Sequence, residues 1–235
     1  MSSSQFVSAS TNYEQTLISE SYQVDNQKIK QINPGVDYEL FVPDQSIERK
    51  NIFLSIGRIQ QQKGQLETLR FLNSFKEVET DFMCYFVGGP SGSSGDEYLS
   101  ELKESVKELS LSSHVEFLGN LPQVDIRNLL NSAKLLIHTS QYETFGLVAI
   151  EANSMGVPVL TTNNGSMQEI ITNKENGYLV DGLDYQDVSI SIKNLINDDQ
   201  YFEERMINCM NKSKDYKWEN TVDKLLDLYQ EAKFS

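Results

Sequence analysis

The chain has 235 residues, of which 34 are acidic and 20 are basic, and its formal net charge is −14. This acidic balance argues against general binding to nucleic acid and against docking on anionic lipid, because both depend on clusters of basic residues. The hydrophobic content of 39% is enough for a core, and no apolar run approaches the ~20 residues that span a bilayer.

The cysteines and the first residues bear on the compartment. Cys84 lies inside an apolar run and Cys209 is far from it in sequence, so we expect reduced thiols and a reducing compartment. The first residues lack the basic segment and apolar core of a signal peptide. We therefore expect a cytoplasmic protein.

Residues 1–44 do not have the pattern of an independent domain. A short strand is expected at Phe6–Ser10, followed by a helix from Asn12 to Tyr22. A second strand is expected at Lys28–Ile32, and a turn at Asn33–Gly35. These elements are too few to enclose a core of their own.

From residue 45 onward, short apolar runs alternate with amphipathic helical patterns. This alternation predicts an α/β fold with a Rossmann-like, doubly wound parallel sheet. A glycine- and serine-rich segment at Pro90–Asp96 is expected to be a loop, and a last helix is expected after Trp218. The strand candidates are Ile52–Ile56, Phe82–Val87, Val115–Leu118, Leu135–Ile137, Val157–Thr161 and Tyr178–Val180.

The most informative stretch contains Glu143 and Glu151, eight residues apart. We expect a helix to open near Phe145, and at ~3.6 residues per turn the two carboxylates would lie close to one face. The backbone N–H groups of Phe145, Gly146 and Leu147 would then be free to meet an anion. Such a helix suits a nucleotide diphosphate sugar, although two glutamates alone would be read as ordinary solvated side chains.

A second motif lies at the end of the first predicted strand of the large sheet. Gly57 and Arg58 follow the apolar run Ile52–Ile56, and Lys63 comes shortly before the next helix. Open α/β sheets bind ligands at the carboxyl ends of their strands, and Arg58 and Lys63 offer the cations that a phosphate needs. Without that position, both would be ordinary surface cations.

With these motifs, the sequence resembles the C-terminal half of a retaining glycosyltransferase of the GT-B architecture, in family 4, the glycosyl transferases group 1. The likeness covers nearly the whole chain. Val87–Gly92 and Ile32–Asp37 favour the branch that contains D-inositol-3-phosphate glycosyltransferases and sucrose-phosphate synthases. Further segments that match the family pattern are Gly156–Val159, Gln168–Ile171 and Asn176–Val180.

The resemblance implies a division of the chain into three parts. Residues 1–44 would be the tail of an N-terminal lobe and the hinge, and residues 45–215 the nucleotide-sugar-binding Rossmann-like domain. Residues 216–235 would form a helix that crosses back to the N-terminal lobe. Most of that lobe, which holds the acceptor site in the family, is not in this chain, so the chain alone is expected to be inactive.

The resemblance also assigns roles to residues. Arg58 and Lys63 would neutralise the donor diphosphate as it leaves, and Glu143 would orient hydroxyls of the donor sugar; these three are the candidate catalytic residues. Glu151 would bind the ribose diol, and the loop at Asn120 and Leu121 would meet the base. The candidate donor-binding residues are Gly57, Asn120, Leu121, Phe145, Gly146, Leu147 and Glu151.

We expect neither a cofactor nor a metal. The sequence has no Asp-x-Asp triplet and no metal-ligand spacing, and His114 and His138 stand alone. His138 ends a predicted strand and is expected to be packed rather than catalytic. The donor is expected to be UDP-linked because the branch named above uses UDP. Two alternatives stay open: a non-catalytic nucleotide-sugar-binding or interaction module and, with less support, a GT-B relative that catalyses epimerisation or phosphorolysis.

Overall fold

The computed structural model describes residues 5–182 and 185–234. The first segment forms a small parallel pair of strands, β1 (Val7–Ala9) and β2 (Ile29–Gln31), joined by helix α1 (Asn12–Tyr22). These three elements match the predicted ones to within one residue at each end. Thr11 caps α1, because its side chain accepts a hydrogen bond from the backbone N–H of Glu14.

A six-stranded sheet forms the centre of the molecule, with all neighbouring strands parallel and in the order β5-β4-β3-β6-β7-β8. All six predicted strands are confirmed. The largest difference is at β7, which begins two residues later than predicted because Val157 and Pro158 precede the ladder. The strands are β3 (Ile52–Ile56), β4 (Met83–Val87), β5 (Val115–Gly119), β6 (Leu135–His138), β7 (Val159–Thr162) and β8 (Gly177–Val180).

Helices cover both faces of this sheet, which confirms the predicted doubly wound α/β fold. Adjacent residues of β3 show the division: Phe53 belongs to one buried apolar cluster and Leu54 to the other. The segment predicted as a loop up to Asp96 ends earlier, because a helix begins at Gly95. The helices are α2 (Gln65–Lys76), α3 (Gly95–Glu108), α4 (Gln123–Ser132), α5 (Leu147–Ser154), α6 (Met167–Ile170), α7 (Gln186–Asn197), α8 (Asp199–Ser213) and α9 (Trp218–Phe234).

The chain adds strands to one side of β3 first and to its other side afterwards. From β3 the chain builds outward through β4 to β5, and then returns to place β6 on the other side of β3. At such a switch point the loops after the two central strands diverge and leave a crevice at the carboxyl edge of the sheet. The loops that follow Ile56 and His138 therefore border the expected ligand site.

Helix α9 packs on the first segment of the chain. Thr221 donates a hydrogen bond of 2.7 Å to the backbone oxygen of Asn33, and Lys30 pairs with Glu231 at 2.9 Å. The apolar side chains Val222, Leu226 and Tyr229 stay exposed on α9. The three-part division of the chain stays a prediction. Within the described residues, no helix combines the length and the apolar character that crossing a bilayer requires.

Candidate functional site

A cleft of about 450 Å³ lies at the carboxyl edge of the sheet, between the loops that follow β3 and β6. It brings together eight of the ten predicted site residues. A larger cavity of about 760 Å³ lies at the opposite edge, beside Arg49 and Lys134, and contains none of them. The predicted residues that line the cleft are Gly57, Arg58, Lys63, Glu143, Phe145, Gly146, Leu147 and Glu151.

Backbone and hydroxyl hydrogen bonds tie the two loops of the cleft together. Thr139 donates its side-chain hydroxyl to the backbone oxygen of Gly64 at 2.7 Å, and the N–H of Gln141 reaches the oxygen of Gln62 at 2.9 Å. Gly64 has a φ of 68°, and a Cβ added there would lie 1.9 Å from the Thr139 carbonyl oxygen. The approach that places Lys63 beside the β6 loop therefore requires a glycine at position 64.

Glu143 stands at the centre of the charged groups in this cleft. Its Oε2 accepts a hydrogen bond from Lys63 Nζ at 2.8 Å and another from His138 Nε2 at 3.2 Å. Burial opposes ionisation of the carboxyl group, but the two hydrogen bonds and the attraction of His138 and Lys63 outweigh it and lower the pKa of Glu143 to about 2. The backbone is fixed as well, since Ser166 donates to the Glu143 carbonyl oxygen.

His138 is a member of the site that sequence reasoning missed. It is packed as expected, with only 6% of its surface exposed, but its ring also contacts Glu143. Glu143 is ionised at neutral pH and can only accept, so the Nε2 of His138 must carry the proton of this bond. The available signal was position: His138 ends a central strand on the edge where ligands bind.

The helix at the cleft begins later than predicted. Helix α5 starts at Leu147, with Gly146 as its N-cap at a φ of 92°, so Phe145 precedes the helix. The predicted placement of Glu143 and Glu151 on one helix face is therefore wrong, because Glu143 lies in the loop before α5. Glu143 still lies near the helix N-terminus, with its Cγ 3.5 Å from the position of an added Cβ at Gly146, and both carboxylates line one cleft.

The N-terminus of α5 is open to an anion. Gly146 has no side chain that could cap the first N–H groups, and Leu147 is 44% exposed. Phe145 differs, because its ring is buried and packs on Tyr216 at a centroid distance of 5.7 Å. Only the backbone of Phe145 is available to a ligand, whereas its side chain anchors the loop.

The side chains of Glu151 and Arg58 have no polar partner in the described part of the chain. Burial raises the pKa of Glu151, and no described donor reaches its carboxylate. The Arg58 side chain is exposed, and no described carboxylate pairs with it. Gly57, at a φ of 156°, has nothing within 4 Å of the position of an added Cβ. These groups surround open space, where a ligand would fit.

The structure does not bring Asn120 and Leu121 into the cleft. They follow β5, two strands away from β3 on the same carboxyl edge, where Asn120 is exposed and lies against Gly89. The glycine-containing strand ends are linked, since the N–H of Gly88 donates to the oxygen of Gly119 at 2.8 Å. Their predicted contact with a base is untested and stays a prediction.

The described part of the molecule contains no cluster of side chains suited to bind a metal ion. No group of three or more His, Cys, Asp or Glu side chains within residues 5–182 and 185–234 is arranged to hold an ion. The described cations of the cleft are Arg58 and Lys63, together with the His138 ring when protonated. That donor binding needs no metal stays a prediction.

Comparison with known proteins gives the family. The family model described as "Glycosyl transferases group 1" matches residues 38–213. A D-inositol 3-phosphate glycosyltransferase of Corynebacterium urealyticum is 32% identical over 234 residues, which cover 94% of this chain and 55% of that protein. The chain thus spans about half the length of the curated relatives it matches.

Two solved structures show the fold. Anabaena HepE, in complex with UDP-glucose, superposes with a TM-score of 0.85 at 22% identity, over 97% of this chain and 64% of that one. A sucrose-phosphate synthase of Thermosynechococcus elongatus gives a TM-score of 0.81 at 23% identity, over 96% and 58% of the two chains. The predicted resemblance is therefore confirmed: the chain belongs to the glycosyl transferases group 1, and its fold is that of the corresponding part of GT-B glycosyltransferases.

Proposed function

We propose that the chain is the donor-binding half of a retaining glycosyltransferase, which transfers a hexosyl unit from a nucleotide diphosphate sugar, UDP-linked by preference, to an acceptor hydroxyl. The observation behind the proposal is one cleft that combines Arg58, Lys63, the N-terminus of α5 and two carboxylates. HepE of Anabaena has the same fold and was solved in complex with UDP-glucose, which favours this class of donor.

The charges of the cleft suit a diphosphate. A donor diphosphate carries about two negative charges, and the chain supplies two cations, Arg58 and Lys63, plus a helix N-terminus equivalent to ~0.5 charge. The charge on the leaving diphosphate grows in the transition state, so fixed positive groups stabilise that state more than the bound substrate. Glu143 already pairs with Lys63 in the free chain, and the donor is proposed to bind without a metal ion.

The two carboxylates suit hydroxyl groups in different ways. Glu151 is half-buried and has acceptor oxygens that no described donor uses, so a ribose diol would satisfy it. Glu143 is held ionised by His138 and Lys63, and a second oxygen can accept from a sugar hydroxyl. Both groups would select a sugar through hydrogen bonds that are lost if the hydroxyl is absent.

Transfer with retention requires no nucleophile from the protein. In the mechanism that the resemblance implies, the acceptor oxygen bonds to the anomeric carbon on the face that the diphosphate leaves. The bond from that carbon to the phosphate oxygen breaks, and the acceptor proton passes to that oxygen. This chain would bind and neutralise the diphosphate, while the acceptor site would come from residues outside it.

A ligand panel tests the donor assignment. UDP-, GDP- and ADP-glucose are added to the chain, and the thermal unfolding midpoint is measured with and without each. A ligand at a hundredfold excess over its Kd stabilises the chain by ~2.7 kcal/mol, which is easily seen. Stabilisation by UDP-glucose that is lost in Arg58→Ala but kept in Lys103→Ala, an exposed lysine on α3, supports the proposal.

Two results would contradict the proposal. If none of the nucleotide sugars stabilises the chain, the cleft is not a donor site. If UDP-glucose binds but the protein with its acceptor lobe supplied transfers no sugar to any acceptor hydroxyl and hydrolyses none, the non-catalytic binding module is the better description.

A further inference from the structure

One oxygen of Glu143 serves two donors at once. Oε2 accepts from Lys63 Nζ at 2.8 Å and from His138 Nε2 at 3.2 Å. Lys63 is 24% exposed and ends the short 3-10 helix Gln61–Lys63, whereas His138 is 6% exposed and paired with Thr161 in the sheet. The two donors thus differ in mobility: the ammonium can move on its flexible stem, and the imidazole cannot.

The same Lys63 is also one of the two cations proposed to bind the donor diphosphate. In the free chain its charge is already matched by Glu143. A diphosphate carries more negative charge than a carboxylate and would be held at the same time by Arg58 and by the N-terminus of α5. The ammonium therefore gains by moving from Glu143 to the phosphate, and this movement removes one of the two donors from Oε2.

We propose that donor binding exchanges Lys63 from Glu143 to the diphosphate, and that His138 is the positioning residue that holds Glu143 in place after the exchange. The inference rests on the proposed function and adds an order of steps: the diphosphate binds Lys63 first, and Glu143 then accepts from the donor sugar. Until the diphosphate binds, Lys63 and His138 share Oε2 of Glu143, and only Oε1 is free of described donors. Afterwards, the carboxylate is fixed by His138 alone, and its freed acceptor capacity is available to a hydroxyl of the donor sugar.

The exchange makes an unusual prediction for Glu143→Gln. The substitution removes the anion that competes for Lys63, so UDP should bind about threefold to tenfold more tightly than it does to the wild-type chain. Glu151→Gln is the matched control, because the same chemical change at a carboxylate without a lysine partner should weaken UDP binding. Titration calorimetry with UDP measures both constants.

The positioning role is tested by the advantage of UDP-glucose over UDP. His138→Leu should reduce the ratio of the two affinities by roughly tenfold, the effect of one charge-assisted hydrogen bond. His138→Gln keeps a nitrogen donor at similar reach and should restore most of the ratio. A purely structural role for His138 would change both affinities equally and would not be rescued by glutamine.

The titrations distinguish failure of the proposed function from failure of the Lys63 exchange or of the His138 role. If UDP does not bind to the wild-type chain at all, the proposed function fails, and this inference fails with it. If UDP binds but Glu143→Gln weakens it, Lys63 does not exchange. If the wild-type chain binds both ligands equally, or if His138→Leu keeps the wild-type ratio, His138 does not position Glu143 for the sugar. Thermal unfolding of each variant confirms that it is folded at the titration temperature.

Discussion

Glu143 and Glu151 line the same cleft, but their replacement by glutamine should change the stability of the free chain in opposite directions. Glu143 is ionised and accepts hydrogen bonds from Lys63 and His138. Burial raises the pKa of Glu151 and so penalises its charged form, and no described donor offsets the penalty. We therefore expect Glu143→Gln to destabilise the free chain at pH 7 and Glu151→Gln to stabilise it.

The magnitude for Glu143 follows from its titration. A pKa lowered from 4.5 to about 2 corresponds to ~3 kcal/mol of additional stability at neutral pH. The cleft is open to water, and solvent screening reduces such a contribution, so we expect a loss near ~1.5 kcal/mol for Glu143→Gln. In a chain of this length, that loss lowers the unfolding midpoint by about 3–6 °C.

The pH dependence of unfolding tests the direction of each stability change independently. The folded-state pKa of Glu143 is depressed, so its contribution is complete above 4.5, the unfolded value, and is lost as the pH falls towards 2. The folded-state pKa of Glu151 is raised, so the ionised carboxylate costs stability that protonation returns at low pH. The Glu143→Gln variant should therefore approach the wild type in stability as the pH falls from 4.5 towards 2, and the Glu151→Gln variant should approach it as the pH falls towards 4.5.

Urea unfolding at pH 7 and at pH 3, followed by circular dichroism, measures these differences. The pair of variants is its own control, because the same chemical change is made twice in one cleft. The reasoning would be refuted if both variants lost stability equally at pH 7, or if the Glu143→Gln deficit were as large at pH 3 as at pH 7.

Three further predictions concern the ligand and the frame of the cleft. Arg58→Ala and Lys63→Ala should each weaken UDP binding by roughly tenfold or more, the value of a charge-assisted hydrogen bond, as measured by calorimetry; an unchanged Kd in the double variant would disprove the diphosphate assignment. The Kd for UDP in EDTA should lie within a few-fold of the Kd in millimolar Mg²⁺, and loss of binding in EDTA would disprove the metal-independent model. Gly64→Ala should cost more in urea unfolding than the ~1–2 kcal/mol of left-handed backbone strain, because its Cβ meets the carbonyl of Thr139. Gly182→Ala is the matched control, because Gly182 has a similar φ of 71° and no described atom lies within 4 Å of an added Cβ there. An equal cost at the two glycines would contradict the close approach at Gly64.

The sheet was predictable because the apolar runs that mark strands are local features of the sequence. The central strands β3 and β6 are short, mainly apolar runs, and burial on both faces of a parallel sheet requires such runs. The helix at the cleft was less predictable. Gly146 adopts a left-handed conformation that ends the loop just before α5, and residue periodicity does not show where a backbone turns.

Contacts between distant loops could not be read from the sequence. The approach of Lys63 to Glu143 joins residues 80 positions apart, and it depends on the glycine at position 64. The unexpected participation of His138 has the same origin. Its position at the end of a central strand was visible, but the loop that folds Glu143 back onto its ring was not, because the turn depends on Ser166 from a later element.

The geometry of the cleft also explains why a donor-binding half would be a poor catalyst alone. Arg58 and Leu147 are exposed, so water would reach a diphosphate held between them and weaken every charge interaction with it. Among the described residues of the first segment, Pro34 lines the cleft. A surface that covered the cleft from this side would exclude water and strengthen the contacts of Arg58 and Lys63 without any change in their positions. We therefore expect the donor to bind to this chain and the transfer to depend on that cover.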